Sequence, residues 1–362
     1  MKNVINRFSH GLILLSSFFL LSCAQTSAQV PAHQFDLGQW KLTLPADDDH
    51  NGKVDEVNVS ALMGFSHPDF FYLNDNGDLV FSAPNKAATT ANSTNTRSEL
   101  RQMLRGQDSN IKTHDPKNNF ALGAHRDAGA FASVGGTLDA TLKVLHVSRE
   151  AKYPQKKSAY SVVVGQIHSV KNAKAHTSGF GYGNEPIKVF YKKWPGHQTG
   201  SVFWTYERNL PKDHPDRTDL DHVVWGNSWD NSDDPGAQGI ALGQQFSYRI
   251  NVIGNQMRLT FDTTDPSQRV TFSVDLSNNI GPSGWVDEKD NPGGYAQDSL
   301  YFKAGAYNQC SSKDSSSFRY PACAGTGDWE TDKTNGDYVS VAFQQLHLSR
   351  PSAQPKVGTN GQ

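Results

Sequence analysis

The sequence predicts an all-β protein of the sandwich or jelly-roll type. The 362-residue chain contains 31 Gly, 17 Pro, 12 Tyr and 7 Trp, and it shows little of the periodicity that marks helices. Short segments of alternating polar and apolar residues recur along the chain with turn residues between them, as in sandwiches and jelly rolls. The composition does not break along the chain, so we expect one folded domain over residues 34–350.

The strand candidates follow from alternation, because successive side chains of a strand point to opposite faces of the sheet. The folded part begins in "FDLGQWKLTLP", where Trp40, Leu42 and Leu44 alternate with polar residues. The later candidates are "GDLVFSAP", "TLDATLKVLHVS", "SAYSVVVGQIHS", "GSVFWTYER", "FSYRINVIGNQMRLTF", "QRVTFSVDL", "YFKAGAYNQ" and "YVSVAFQQLHLS". Residues 351–362, "PSAQPKVGTNGQ", are expected to form a flexible tail.

The N-terminus is typical of an export signal. Basic residues precede a short apolar run, and residues 1–22 end in "LLS" directly before Cys23. This pattern resembles the bacterial lipobox, which implies a lipoprotein signal peptide, lipidation of Cys23 and a tether over 23–33. Ala24 after the cysteine favours the outer membrane of a Gram-negative host. The alternative is an ordinary signal peptide cut after Ala28, which would leave the protein periplasmic or secreted.

Two cysteines remain in the mature chain, Cys310 and Cys323, and they flank the polar loop "SSKDSSSFRYPA". An exported protein folds in an oxidising compartment, so we expect these two residues to form a disulfide. Closing a loop of this length stabilises the fold by up to about 3 kcal/mol in the chain-entropy model.

Charge and acidic motifs limit the possible partners. The formal net charge is −2, from 34 basic and 36 acidic residues, which excludes a generally basic nucleic-acid binder but not a locally basic groove. The loop "DDDHNGKVDEV" resembles a calcium loop at Asp47, Asp49, Asn51, Gly52 and Asp55. The position that should carry a bidentate Glu is Asn58, so an acidic surface turn is the preferred reading and no metal is expected.

The segment "SLYFKAGAYNQ" has one face that is unusually polar for a strand. Its odd positions carry four polar groups, Tyr301, Lys303, Tyr307 and Gln309, whereas its even positions are mainly apolar. A solvent-facing strand of a sandwich would also alternate in this way. A functional groove is favoured only if other strands carry matching chemistry.

Two other segments carry such chemistry. In "TRSELRQM", Arg97, Glu99 and Arg101 share one face of a strand, and arginine presents a planar fork suited to carboxylates. An ion-pair ladder at the surface is the alternative. In "SVVVGQIHS", alternation places four residues on one face: Val162, Val164, Gln166 and His168. A structural histidine is possible there, although His is also the natural general base near neutral pH.

The segments "RSELR", "QIH" and "YFKAGAYNQ", taken together and in this order, resemble the signature strands of the alginate lyases of polysaccharide lyase family 7. The resemblance extends from about "WKLTLP" to "VAFQQLHLS". It implies a β-jelly roll whose concave sheet forms the substrate groove. It also implies β-elimination of 4-linked uronates to unsaturated oligouronates, without a cofactor, by an enzyme that we expect to be a monomer.

The resemblance also implies roles for individual residues. The catalytic set is Arg97, Gln166, His168 and Tyr307, and the substrate-binding set is Glu99, Arg101, Tyr301, Lys303 and Gln309. An unperturbed tyrosine titrates near pH 10, so Tyr307 would need cationic neighbours such as Lys303 to act as a base. In the family, Ile at position 167 accompanies acceptance of guluronate.

Three other functions are alternatives to alginate cleavage. The first is a lyase for another polyuronate, such as a glucuronan. The second is a carbohydrate-binding module, although such a module would not need both His168 and Tyr307. A glycoside hydrolase would need two carboxylates that flank the scissile bond, and no strand offers a closely spaced pair.

Overall fold

The computed structural model describes residue 1 and residues 29–351, and it confirms the predicted all-β jelly roll. Two sheets pack face to face. One has ten strands: β1 Trp40–Thr43, β2 Glu56–Val57, β5 Asn95–Gln102, β6 Phe120–Ala121, β7 Ser133–Val134, β9 Ser161–Ser169, β10 Ile187–Lys192, β11 Ser201–Glu207, β12 Asp219–Trp225 and β16 Leu300–Ser311. The other has seven: β3 Phe71–Leu73, β4 Leu79–Pro84, β8 Gly136–His146, β13 Gln245–Ile253, β14 Gln256–Thr263, β15 Val270–Asp275 and β17 Tyr338–Ser349.

The ten-stranded sheet, called the groove sheet below, carries the three sequence motifs side by side. Its main order is β12-β11-β10-β9-β16-β5-β1-β2, and all neighbours on this path are antiparallel. The strand β16 therefore lies between β9 and β5. In this register Lys303 pairs with both Arg101 and Gln166, and Tyr307 pairs with Arg97. Three segments that are far apart in sequence thus meet in one sheet.

The apolar faces of the two sheets form the core. On β16 the even residues Phe302, Ala304 and Ala306 are fully buried in it, as the alternation predicts. Leu100 of β5 also faces the core, so Arg97, Glu99 and Arg101 are directed to the opposite face. Packing one sheet against the other leaves the polar face of the groove sheet for function.

The strand β9 breaks its alternation at Gly165. The sequence prediction placed four side chains on one face: Val162, Val164, Gln166 and His168. That prediction is wrong for the two valines, which lie in the core between the sheets. Tyr248 of β13 donates a hydrogen bond to the carbonyl of Val164 at 2.9 Å, and a Cβ on Gly165 would lie 2.2 Å from its hydroxyl. The register shifts there against both neighbours, as expected for a β-bulge.

Helices are short and lie in the connections. They are α1 Val59–Leu62, α2 Trp329–Asn335 and the 3-10 helices Pro31–His33, Pro116–Asn118, Ala128–Ala130, Ala173–Ser178, Gly236–Gln238 and Pro266–Gln268. α2 is capped at its start by Asp328, whose carboxylate accepts from the amide of Thr331, and at its end by Gly336 in the left-handed region. Within the described residues, no helix is long and apolar enough to cross a membrane.

The predicted disulfide between Cys310 and Cys323 is present, with 5.4 Å between the two Cα atoms. It closes a loop at the end of β16, where the backbone amide of Ser311 also donates to the carbonyl of Pro321 at 2.7 Å. Cys23 and the cleavage site after Ala28 lie outside the described residues, as do residues 352–362 of the tail. The lipidation, tether and tail predictions therefore stay predictions.

Candidate active site

Glu99 is the centre of the polar cluster on the groove sheet. Its side chain is 2% exposed and contacts the ammonium of Lys303, the guanidinium of Arg97 at 3.2 Å and the amide of Gln166. Burial alone would raise the pKa of Glu99, but Lys303 and Arg97 more than offset this and hold it below its usual value. The carboxylate thus fixes three donors that come from three adjacent strands.

In Lys303 the effect of burial on the pKa outweighs the effect of the neighbouring charge. Burial lowers the pKa of Lys303 to about 8, although the neighbouring carboxylate of Glu99 acts to raise it. The direct contact with a carboxylate argues that the ammonium form predominates at neutral pH. Lys303 therefore contributes a positive charge at the floor of the groove.

Arg97 connects the central carboxylate to Tyr307. Its guanidinium carbon lies 4.0 Å from the centroid of the Tyr307 ring, and its second terminal nitrogen donates to the hydroxyl of Ser93 at 2.8 Å. Among the described residues, the buried Nε of Arg97 and the buried Oε1 of Gln166 have no hydrogen-bond partner. Buried polar atoms without partners are costly, so these two atoms are candidates to contact a bound ligand.

His168 lies between an aromatic ring and a carboxylate. Its ring stacks on Tyr301 with 5.2 Å between centroids and 11° between planes. Its Nε2 lies 3.1 Å from an oxygen of Glu185, and its Nδ1 lies 2.7 Å from the carbonyl oxygen of Ser169. Both ring nitrogens face oxygen acceptors, so this arrangement suits a ring that donates from both positions. Before it could act as a base, one nitrogen would have to lose its acceptor and its proton.

Two predicted substrate-binding residues have mainly internal partners. The four terminal N–H groups of Arg101 have acceptors in the carbonyls of Gln102 and Thr113, the Sδ of Met103 and the Oδ1 of Asn119. The guanidinium of Arg101 also covers the Tyr301 ring at 3.9 Å, and burial raises the pKa of Tyr301 to about 12. Their binding roles stay predictions, but the contacts show Arg101 and Tyr301 supporting the position of His168.

A second charged cluster, which the sequence analysis missed, lies beside His168. The ammonium of Lys188 on β10 lies 2.7 Å from Asp219, 3.3 Å from Glu185 and 3.9 Å from Glu207. Burial by itself would raise the pKa of Glu185, but Lys188 and His168 hold it well below its usual range. The usable signal was the alternation in "IKVFYK", which directs Lys188, Phe190 and Lys192 to one face. The carboxylate partners come from separate strands and loops, so spacing could not reveal them.

The remaining predicted residues are also placed by the structure. Gln309 is buried, lies on the same strand as Tyr307, and donates weakly to the carbonyl of Tyr307 at 3.3 Å. In the acidic loop, Asp47, Asp49 and Asp55 bring one oxygen each within 4.8 Å of one another. Backbone amides of Asn51 and Gly52 already bind the carboxylate of Asp47, which fits the acidic-turn reading.

The arrangement as a whole is suited to an anionic substrate. Arg97, Gln166 and Lys303 offer donors from one face of three adjacent strands, while His168 and Tyr307 add two groups able to exchange protons. Donors that are fixed in position can stabilise negative charge as it develops during a reaction. An acyclic or cyclic sugar acid fits this chemistry better than a neutral sugar.

Comparisons with known proteins identify the family. A sequence model described as alginate lyase matches residues 35–350. An alginate lyase of Klebsiella pneumoniae is 36% identical over 311 residues, which cover 82% of this chain and 90% of that protein. The crystal structure of the alginate lyase from Klebsiella pneumoniae superposes with a TM-score of 0.68 at 31% identity, over 90% of this chain and 100% of that one.

A second solved structure agrees with this assignment. The exolytic family 7 alginate lyase of Zobellia galactanivorans gives a TM-score of 0.70 at 31% identity, over 90% of this chain and 99% of that one. Structures of a further family 7 lyase, at 21% identity and a TM-score of 0.54, share the fold. The family match spans almost the whole described chain, and this protein is therefore a member of the alginate lyases of polysaccharide lyase family 7.

Proposed function

We propose that this chain is an exported, monomeric alginate lyase that cleaves 4-linked uronate chains by β-elimination and accepts guluronate. The observation that carries the proposal is the cluster around Glu99, which fixes Arg97, Lys303 and Gln166 on one face beside His168 and Tyr307. In the reaction, the bond between C5 and its proton and the bond between C4 and oxygen break. A double bond forms between C4 and C5, and the departing oxygen takes up a proton.

Arg97 and Gln166 neutralise the carboxylate of the uronate that loses its C5 proton. That proton is only weakly acidic while the adjacent carboxylate keeps its full charge. Donors on the carboxylate stabilise the enolate-like charge that develops in the transition state. The support for this role is that Glu99 binds only part of the donor set of each residue, and that Arg97 Nε is buried without a partner.

Tyr307 and His168 carry the proton transfers. In mannuronate the C5 proton and the leaving oxygen lie on the same side, so Tyr307 serves as base and then as acid. In guluronate the proton lies on the opposite side, so His168 removes it while Tyr307 protonates the leaving oxygen. His168 contacts Glu185 at 3.1 Å, so the nitrogen that takes the C5 proton must leave this partner and carry no proton of its own.

The preference for guluronate and the cellular location are finer parts of the proposal. Ile167 is fully buried in the core between the sheets, so its influence on the groove is indirect, through the position of Gln166 and His168. Cys23 follows "LLS", which supports a lipid anchor in the outer membrane. The anchor is the only membrane contact that we propose.

Ultraviolet absorbance tests the proposal directly, because elimination creates a conjugated double bond. We expect the absorbance to rise when the protein meets alginate, and Tyr307→Phe to abolish the rise. Glucuronan provides the comparison for another polyuronate, and faster cleavage of glucuronan would reassign the substrate. Binding of alginate without any rise in absorbance would instead identify a carbohydrate-binding module.

A further inference from the structure

A disulfide-closed loop crosses the groove sheet next to Tyr307. Residues 312–320, called the strap, leave the end of β16 after Cys310 and return before Cys323. The guanidinium of Arg319 on the strap lies 3.7 Å from a carboxylate oxygen of Glu207 on β11. β9 and β10 separate β16 from β11 in the sheet, so the strap spans about 14 Å across three strand spacings. It therefore covers part of the polar face and does not merely extend the sheet edge.

The loop that precedes β9 holds the strap in this position and is itself tied to the loop after β12. Lys152 and Tyr153 both bind the carboxylate of Asp314, at 2.6 and 2.9 Å, and the ammonium of Lys156 donates to the carbonyl of Ser316 at 2.5 Å. The neighbouring Lys157 pairs with Asp230 in the loop after β12 at 2.8 Å. Segments 152–158, 229–230 and 312–320 thus form a continuous wall at this end of the sheet.

A cavity of about 310 Å³ lies between the strap and the groove sheet. The charged residues of its lining are Lys156, Lys157, Lys188, Arg217, Asp219 and Arg319. Phe190 and Trp229 also pack in one apolar cluster with Tyr307. A chain bound across Tyr307 therefore continues into the cavity beside the strap.

The cavity suits the end of an acidic sugar chain. Its lining includes five basic residues and one acidic residue, and Arg319 has half of its side chain exposed. Arginine binds carboxylates through a planar fork. Phe190 and Trp229 are 1% and 5% exposed and support the cavity from beneath as a packed apolar cluster. The volume is at the lower limit of ordinary ligand pockets, roughly 300–1,000 Å³. A volume of this size holds a short segment of an acidic sugar chain.

We propose that the strap closes the groove beyond Tyr307, so that the enzyme acts at chain ends, with Arg319 binding a carboxylate of the terminal uronate unit. The inference rests on the proposed lyase function. The disulfide is needed because the polar contacts of the strap are largely exposed, and exposed ion pairs hold a loop in place only weakly. Without the disulfide the strap would open, and the groove could then accept the interior of a long chain.

The test follows three quantities during digestion of long alginate. Absorbance counts the cleaved bonds, whereas viscosity and product size report where along the chain these bonds lie. For the wild type we expect short products of one narrow size from the start, and viscosity that falls slowly at a given absorbance. For the variant Cys310→Ser/Cys323→Ser, we expect mixed oligomers and a rapid fall in viscosity. Thermal unfolding of this variant establishes that it is folded.

Arg319→Ala tests the terminal carboxylate site without removing the disulfide. Loss of a charged hydrogen bond should raise KM for short alginate oligomers about tenfold, with little change in kcat. Lys313→Ala is the matched control, because Lys313 is a basic residue of the same strap that does not line the cavity. Arg319→Lys should recover part of the affinity.

Three results would overturn the inference. The first is early mixed oligomers from the wild type, which would show that the groove is open while the lyase function stands. The second is an equal KM for the Arg319→Ala and Lys313→Ala variants. The third is the absence of any absorbance rise with alginate or glucuronan, which would reject the proposed function and this inference together.

Discussion

Replacing Glu99 by Gln tests whether the central carboxylate holds the site together. The substitution preserves size and removes one negative charge from a side chain that is 2% exposed. Arg97 and Lys303, which are 12% and 9% exposed, would then face each other's charge without the carboxylate between them. The new amide group would also point hydrogens toward the amide of Gln166, or turn and present them to the two cations.

The expected loss of stability is large. Breaking a buried ion pair by removing one partner costs about 3–5 kcal/mol, because the remaining charge stays buried. With a urea m-value of about 3 kcal/mol/M, this loss lowers the unfolding midpoint by roughly 1 M or more. The variant should also lose most of its activity in the folded state, because Arg97 and Gln166 lose the group that positions them.

The control is Glu56→Gln on the same sheet. Glu56 also pairs with a lysine, Lys41, at 2.7 Å, but its side chain is 49% exposed. Exposed ion pairs contribute about 0–1 kcal/mol, so this variant should unfold close to the wild-type midpoint. If both substitutions shift the midpoint equally, burial of Glu99 is not the source of the effect and the reasoning is refuted.

The pH dependence of the free energy of unfolding gives an independent check that the ionised form of Glu99 stabilises the fold. The pKa of Glu99 is lowered on folding from its usual value of 4.5, so the folded state binds its proton less tightly than the unfolded state does. Its contribution is therefore fully present above pH 4.5 and is lost as the pH falls through the lower pKa of the folded state. The difference in stability between wild type and Glu99→Gln should shrink as the pH falls through the acid range. A difference that grows in acid would contradict the assignment.

Three further outcomes are expected. Gly165→Ala should destabilise the fold by about 1–3 kcal/mol, because the new methyl group clashes with Tyr248. Adding Tyr248→Phe to this variant should recover part of the loss. Equal stability of Gly165→Ala and wild type in urea unfolding would exclude the clash. His168→Ala should slow cleavage of guluronate blocks roughly 10²–10⁴-fold and should slow cleavage of mannuronate blocks less. If the absorbance assay shows the same loss of rate on both kinds of block, His168 is not the base. Cys23→Ser should leave activity intact and move the protein from the membrane fraction to the soluble fraction of disrupted cells. An unchanged distribution between the two fractions would argue against the anchor.

The sequence predicted the placement of the motifs well, because local alternation and strand pairing act together. On β16 the polar odd residues and the apolar even residues separate as expected, and on β5 Leu100 faces the core. Alternation fails on β9 because the strand has one extra residue at the bulge. The hydroxyl of Tyr248, which lies in the opposite sheet, binds the backbone at this bulge. No pattern within β9 reports a side chain that is 84 residues away.

The ionic partners and the strap contacts were hidden from the sequence for the same reason. Glu185 precedes β10 and contacts His168 on the neighbouring strand β9, and Arg319 reaches Glu207 from a loop more than 100 residues later in the chain. Sequence spacing predicts contacts within an element, whereas these contacts depend on the order of strands in the sheet. Arg101 differs again, since its acceptors include backbone carbonyls, which no residue type identifies.

The polar face of the groove sheet is largely buried within the protein, and this burial couples the stability of the fold to catalysis. Gln166, Lys188 and Glu207 are 0%, 2% and 1% exposed, and their partners are mainly other protein groups. Burying polar and charged groups is unfavourable unless they find partners, so the fold itself fixes the donors before any substrate arrives. A substitution inside this network should therefore reduce stability and turnover together. Arg319 lies outside the network's interior and is half-exposed, so its loss should affect substrate binding while leaving the fold intact.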